Sequence, residues 1–466
     1  MNKMAHRMAL NNDLHNNNDH IISSQYASYE HKKALFLAVT LGIIIGTYSI
    51  LRPLKSAVFM GLVGVSSIPK AKLAMMFFGP AFALFYSRLI DTFKRHTSTQ
   101  IILGGYSVIL AVFAILLSSP AVWEPGAHTT TAHILGWCFY GFLDIYSLAI
   151  VSTFWALINS LSSPKSATSE YSYINSASRI GGVCTAAIVY WISCTQNLPT
   201  TTAIPLFLGM SSILLFMALI ATKLMYRHIP RSHLIGYAAQ HETKRQAQRP
   251  GLISGLKSLL SQPYLMGIVV GIYSFEFIAT FVDYQMHSII NEQAAGNIAI
   301  IHKYLMGYTC GFQILSLIIA FIGAPMLLKR FNLSVCLAIG PAVAIILILG
   351  LSVYKSLIVV TGVMMILRAL NYGFNVPVRE MLYIPCSQTI QFKSKAWNES
   401  FGRTTSETSG SLFNNYVIPH YSASTCNIIG STIAISLATL WLICAIATGR
   451  KYKKTVDNDE IIGSDS

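Results

Sequence analysis

Two cations, Arg52 and Lys55, interrupt the otherwise apolar run GTYSILRPLKSAVFMG at residues 46–61. With Tyr48 they follow an i, i+4, i+7 spacing, which places all three on one face of an α-helix. Three further polar stripes sit in apolar surroundings. Asp144, Ser147, Trp155 and Asn159 form the second. Tyr273, Glu276, Thr280, Asp283 and His287 form the third, and Arg368, Asn371, Tyr372, Asn375 and Arg379 the fourth. A charge in a membrane-spanning helix costs about 2.5–3.5 kcal/mol on insertion scales, so such groups face a bundle interior or a wet path and mark function by default. Arg and Lys lining a lumen suit an anion, phosphate above all, and Tyr or Trp can stack a planar base. The acids balance charge in an empty cavity or couple protons. The residues alone specify an organic anion, a phosphorylated one among the options.

Each group also has a plainer reading. Lys55 can snorkel to an interface if Pro53 breaks its helix, and Asp144 can pair with Arg52 or Arg368 merely to hold helices together. Asp283 lies near a helix end and reads as structural, whereas Glu276 is mid-span. Arg179, just before Gly181 and Gly182, reads as a packing cation, and Trp155 alone as lipid-facing or core.

The elements that position these stripes are membrane spans. Of the 466 residues 53% are hydrophobic and 11% charged, against about a quarter charged in soluble domains. Segments of about 20 apolar residues recur at 34–63, 71–90, 100–119, 131–160, 172–193 and 203–224. They resume at 262–288, 304–328, 333–352, 356–378, 402–419 and 426–448, the 402–419 segment being short and polar. The expected architecture is an all-α polytopic membrane protein with twelve transmembrane helices in two six-helix halves. The halves are residues 34–224 and 262–448, joined by a basic connection at 225–261 and flanked by polar tails at 1–33 and 449–466. The Asn- and His-rich N-terminal tail has no signal-peptide core and is expected to be disordered.

The net charge of +15 reads as topology and not as nucleic-acid binding. Basic residues crowd the even-numbered connections: Lys94 and Arg95, Lys165, the stretch Lys223 to Lys257, Lys329 and Arg330, Lys393 and Lys395, then the tail from Arg450. The odd-numbered stretches AVWEPGAHTT and SCTQNLPTTT contain no Lys or Arg, although Lys70 and Lys72 break the pattern. Both termini are therefore expected in the cytoplasm. Twelve spans in halves of six is a major-facilitator-like arrangement, each half built from two three-helix inverted repeats. Spans 1, 4, 7 and 10, which carry the four stripes, are the first helices of those repeats and line the central cavity in that architecture. The connection SRLIDTFKRH loosely resembles the acid-then-basic signature of many such carriers.

Several function classes fall away. The eight cysteines form no C-x-x-C pair, so neither a disulfide framework nor a zinc site is expected. There is no H-E-x-x-H, no G-x-S-x-G and no G-x-x-x-x-G-K-[ST], GLISGLKS being the nearest approach, which argues against an enzyme and an ATP-driven pump. A proton-coupled carrier of another organic anion or a drug remains as the alternative.

The stretch REMLYIPCSQTIQFKSKAWNESFGRTTSETSGS, residues 379–411, resembles a signature of the nucleotide transporters (ATP/ADP translocases) of obligate intracellular bacteria and plastids. Glu380, Tyr383, Ile384, Pro385, Lys393, Lys395, Arg403, Gly410 and Ser411 fit its order. YSILRPLKSAVF resembles the family's first span, with Lys55 on the Lys important for transport. FLDIYSLAIVSTFWALIN resembles the fourth, through Phe154, Trp155 and Asn159, and IYSFEFIATFVDYQMHS the seventh, with Glu276 on its acid. The resemblance departs at Asp144, where the family usually has Glu, at Ser56, where it has Asp, and in lacking a Trp-Lys pair after Glu276. It implies a secondary transporter moving nucleotides across a bacterial inner membrane by alternating access, through ATP/ADP exchange or nucleoside-triphosphate import. The expected partners are a nucleotide substrate and the lipid bilayer, with a monomer, no cofactor and no metal expected. The stripes and the resemblance together give the candidate substrate-binding set: Arg52, Lys55, Asp144, Trp155, Asn159, Tyr273, Glu276, Arg368, Asn371, Tyr372, Asn375, Arg379, Glu380 and Lys395.

Overall fold

The computed structural model describes residues 2–78, 93, 95–123, 130–161, 164–196, 198–230, 261–386, 402–417, 420–458, 460 and 462. The chain is an all-α, major-facilitator-like membrane protein. Helix α1 is Asn2–Leu62, followed by α2 at 68–78, α3 at Arg95–Leu116 and α4 at Thr130–Asp144. A π turn at Ser147–Val151 joins α4 to α5, Ser152–Leu161. Helices α6, Pro164–Thr195, and α7, Thr200–His228, complete the first half. The second half starts with α8 at Pro263–Gln293 and α9 at Ile298–Ile318, which passes through a π turn into α10, Ala324–Arg330. Helix α11 is Leu333–Val353, and α12, Leu357–Leu370, continues through a π turn at Asn371–Asn375 into α13, Val376–Met381. Helices α14, Arg403–Tyr416, and α15, Ala423–Asp457, end the fold.

Among the described residues, ten helical stretches are long and apolar enough to cross a bilayer. The two other expected spans account for the difference. Residues 71–90 are helical as far as 78 and lie beyond that outside the described residues, as do most of SRLIDTFKRH and of the 225–261 connection. Of the segment expected at 402–419, Arg403–Tyr416 forms helix α14, and the residues just before Gly402, with 418 and 419, lie outside the described residues. Two of the helix's polar side chains bond the α8 backbone. Ser406 Oγ donates to the Tyr273 carbonyl of α8, and Asn414 Nδ2 donates to the Thr280 carbonyl (3.4 Å).

The first residues differ from expectation. Instead of a disordered tail, the backbone is helical from Asn2. Neither Gly nor Pro occurs before Gly42, so nothing in that stretch interrupts a helix once it has started. Pro53 does not break α1 either; it lies inside the helix and costs one hydrogen bond, the one its nitrogen cannot donate to the Ser49 carbonyl.

Helix α1 packs mainly on α6 and α7, and α3 on α7; in the second half α15 packs on α11 and α8, and α14 on α8. The α1–α6 crossing depends on small residues: a Cβ on Gly181 would stand 2.3 Å from the Gly42 carbonyl oxygen. The halves meet where α9 runs along α1 and α6. The four spans bearing the polar stripes are the most buried: 72% of the apolar window is covered in Pro263–Gln293, 67% in Ser28–Leu62, 50% in Leu357–Met381 and 41% in Thr130–Trp155, against 17–39% elsewhere. They occupy the interior of the bundle.

Candidate functional site

Helix α1 brings Arg52 and Lys55 to the bundle interior on either side of Pro53. Lys55 Nζ reaches Asp144 Oδ1 at 2.5 Å and lies 4.5 Å from the centroid of the Tyr140 ring. Asp144 is the last residue of α4, three positions before the π turn at Ser147–Val151. Below this pair Tyr48 stacks on Tyr146 with ring centroids 5.7 Å apart, and the Tyr146 hydroxyl donates to the Ile44 carbonyl (3.0 Å). Arg52, half-buried, is electrostatically linked to Tyr48, Tyr308, Tyr372 and Asp283. Among the described residues it makes no hydrogen bond or ion pair.

The second half answers with its own charges. Glu276, 6% exposed on α8, faces Arg368 Nη1 at 3.6 Å and Arg403 Nε at 3.4 Å. Arg403 also bonds Glu407 Oε1 at 3.0 Å. Arg368 is buried against the Phe275 ring, 5.8 Å from its centroid, and its Nε and Nη1 lack hydrogen-bond partners among the described residues, as do Glu276 Oε2 and Asn371 Oδ1. Arg368 stands three positions before a π turn, as Asp144 does. Spans 4 and 10, equivalent in the two halves, thus loosen their backbone next to an interior charge, a place where π turns recur at functional sites.

Among the described residues, three side chains make polar links between the halves. Lys72 Nζ on α2 pairs with Asp283 Oδ2 on α8 at 3.1 Å, with His287 Nδ1 3.7 Å from the same oxygen. Arg179 of α6 donates to Ser316 Oγ (3.3 Å) and to the Tyr372 carbonyl (3.0 Å). Gln313 Nε2 of α9 donates to Ser49 Oγ at 2.9 Å.

The expected site residues therefore divide. Arg52, Lys55 and Asp144 sit in the first-half cluster, Glu276 and Arg368 in the second-half cluster, and Asn371 and Tyr372 in the π turn beside it. Tyr273 is linked through its carbonyl to α14, Trp155 packs on the core, and Asn159 lies on α5. Asn375 and Arg379 turn elsewhere, into a crevice between α8, α11 and α15. The Asn375 amide lies against Gly340 of α11, where a Cβ would stand 2.6 Å from its Oδ1. The five-residue stripe assumed 3.6 residues per turn throughout. A π turn widens that period, so residues beyond it rotate off the face that Arg368 occupies. Glu380 follows Arg379 on α13 and is half-buried, whereas Lys395 lies outside the described residues.

Sequence reasoning left out three members of the cluster. Lys72 stood only as an exception to the charge rule, and its position is explained by Asp283 across the central interface. Arg403 entered through motif order alone and Glu407 not at all. The signal available was the i, i+4 spacing of Arg403 and Glu407 in a segment too polar for a lipid-facing span. Among the described residues this cluster contains Arg52, Lys55, Lys72, Arg368 and Arg403 against Asp144, Glu276, Asp283 and Glu407, an excess of one cation. Arg179 adds a further positive charge at its edge. No group of three or more His, Cys, Asp or Glu among the described residues could hold a metal ion.

Solved transporters share this fold. The fold is similar to a bacterial homologue of the human lysosomal transporter Spinster, at 12% identity and a TM-score of 0.52 over 93% of this chain and 99% of that one. It is also similar to the nucleoside transporter NupG, at 12% identity and a TM-score of 0.53 over 88% and 98%. The xylose transporter XylE from E. coli aligns at 13% identity and a TM-score of 0.51 over 91% and 95%. At such identities the likeness concerns fold alone. No curated protein sequence matches the chain. The family model described as TLC ATP/ADP transporter matches residues 24–376, which takes in every interior charge from Arg52 to Arg368 and stops short of the 379–411 motif. A membrane transporter and not an enzyme, the chain belongs to the TLC ATP/ADP transporter family.

Proposed function

We propose that this protein is a nucleotide carrier that exchanges ATP for ADP, or imports nucleoside triphosphates, across a bacterial inner membrane with both termini cytoplasmic. The observation that carries this reading is Arg52. It is an interior guanidinium that shares its span with Lys55, and among the described residues it makes no hydrogen bond or ion pair, Asp283 acting on it only through space. A half-buried guanidinium without a hydrogen-bond partner is costly, and a polyphosphate between the halves supplies such partners through bidentate hydrogen bonds. Lys55 and Arg368 stand on opposite sides of the same interior and are already paired with Asp144 and Glu276. Their carboxylates act as internal stand-ins for phosphate, held when substrate is absent and exchanged for it when substrate arrives. Tyr48, Tyr308 and Tyr372 around Arg52 offer faces to the base.

Among the described residues the polar links between the halves are Lys72 to Asp283, Arg179 to Ser316 and Tyr372, and Gln313 to Ser49, discrete contacts that suit rocking of one half against the other around a central site. The test is uptake of labelled ATP by cells expressing the chain, with and without internal ADP. Uptake stimulated by internal ADP supports exchange, uptake independent of it supports import, and uptake absent under both conditions contradicts the reading. Competition with non-nucleotide anions separates it from a carrier of another organic anion.

A further inference from the structure

Away from the central interface, a second cation cluster opens at one end of the second half. The first turn of α11 and the last turns of α15 enclose a cleft of about 630 Å³, within the range of small-molecule sites. Arg450, Lys453 and Lys454 of α15 line it, with Asp457 as the one carboxylate, and the Ser334 hydroxyl contributes from α11. Its other wall is apolar, formed by Val335, Ala338 and Ile446.

Position and close packing give this cleft its character. A Cβ on Gly449 would stand 2.6 Å from the Ser334 Cα, so the two helices cross in near contact immediately before Arg450. That crossing floors the cleft. Above it α15 changes from its apolar run to the basic string RKYKK at residues 450–454. Below it the same two helices expose apolar side chains, with Ile346 68%, Leu440 46% and Ile443 61% exposed. A polyanion dissolved in water would match the cations and waste the apolar wall. A molecule with a phosphate at one end and hydrocarbon at the other matches both.

We infer that this cleft is a binding site for an anionic phospholipid, its phosphate on Arg450, Lys453 and Lys454 and its acyl chains along Val335, Ile446 and the exposed face of α11 and α15. Basic pockets between transmembrane helices at the membrane boundary take such headgroups, each Lys or Arg contributing roughly a fivefold gain in affinity. The site is separate from the central charges and does not rest on the nucleotide reading.

The experiment uses the full-length protein in a mild neutral detergent, with lipid retention read by native mass spectrometry and thermal stability read in parallel. The probes are phosphatidylglycerol, phosphatidylcholine and inorganic phosphate. Phosphatidylglycerol is expected to bind and raise Tm, phosphatidylcholine to bind at least tenfold more weakly, and millimolar phosphate to leave Tm unchanged. Neutralising Arg450, Lys453 and Lys454 to Gln together should weaken phosphatidylglycerol binding about 100-fold. The single variants Arg450→Gln and Lys453→Gln, each about fivefold weaker, serve should the triple variant fail to fold. Lys451→Gln, on an exposed side chain outside the cleft, should bind as wild type does. Equal binding of phosphatidylcholine, an equal loss in Lys451→Gln, or a Tm shift with phosphate alone as large as that with lipid would each overturn the assignment.

Discussion

Replacing Glu276 with Gln keeps the shape of the side chain and removes its charge. Glu276 lies 3.6 Å from the buried Arg368 and 3.4 Å from Arg403. At 3.6 Å and an effective dielectric of about 20, the attraction to Arg368 is about 5 kcal/mol, and breaking a buried pair typically costs 3–5 kcal/mol. Arg403 is 48% exposed and contributes less. In the empty carrier the variant therefore leaves Arg368 uncompensated by about 4 kcal/mol and raises the interior excess from one cation to two. A nucleotide polyphosphate recovers part of that energy on binding, so the loaded carrier gains relative to the empty one. The ceiling is about a thousandfold, and the expected gain in nucleotide affinity is tenfold or more. Return of the empty carrier becomes harder, so uptake into vesicles without internal nucleotide should fall further than exchange into ADP-loaded vesicles. Both are measured with purified, reconstituted protein at several pH values, alongside Asp144→Asn. Unchanged affinity together with uptake profiles merely scaled down would refute the reasoning and leave both acids structural.

Further expectations concern the other charges. The variants Lys72→Gln and Asp283→Asn should each cut transport at least tenfold by breaking the link between α2 and α8, whereas the double variant Lys72→Asp with Asp283→Lys should recover much of it; a swap as inactive as the single variants would show that each residue acts separately. Lys55→Gln should abolish uptake while leaving membrane insertion intact, and Lys395→Gln should do the same if the C-terminal motif bears on substrate; near-normal uptake in either variant removes that residue from the site. A reporter active only outside the cytoplasm, fused after Ser466, should be silent, and strong activity there would overturn the assigned orientation.

Much of this architecture was legible because a bilayer makes composition and charge unusually informative. The apolar runs and polar stripes located spans 1, 4, 7 and 10 in the interior before any packing was known, since a charge in lipid has nowhere else to go. What stayed hidden depends on backbone period and on long-range pairing. Asn375 and Arg379 share a face with Arg368 on an ideal helix and leave it on the real one, because the π turn at Asn371–Asn375 changes the rotation. Lys72 looked misplaced because its partner, Asp283, lies 211 residues away. The eleventh span was the most polar of the expected crossings, and its polarity has a reason only the packing shows: Ser406 and Asn414 bond the α8 backbone.

The central claim is that the interior cations bind the phosphates of a nucleotide, with Arg52 the first to gain a partner. It is tested most directly by displacing labelled ATP from the purified protein with unlabelled ATP, ADP and adenosine, in wild type and in Arg52→Gln. ATP and ADP should compete at similar concentrations and adenosine at least a hundredfold less well. Arg52→Gln should weaken ATP binding about tenfold or more, as loss of charge-assisted hydrogen bonds of about 1.5–3 kcal/mol requires, with little effect on adenosine. Adenosine competing as well as ATP, or Arg52→Gln binding ATP as wild type does, would contradict the account.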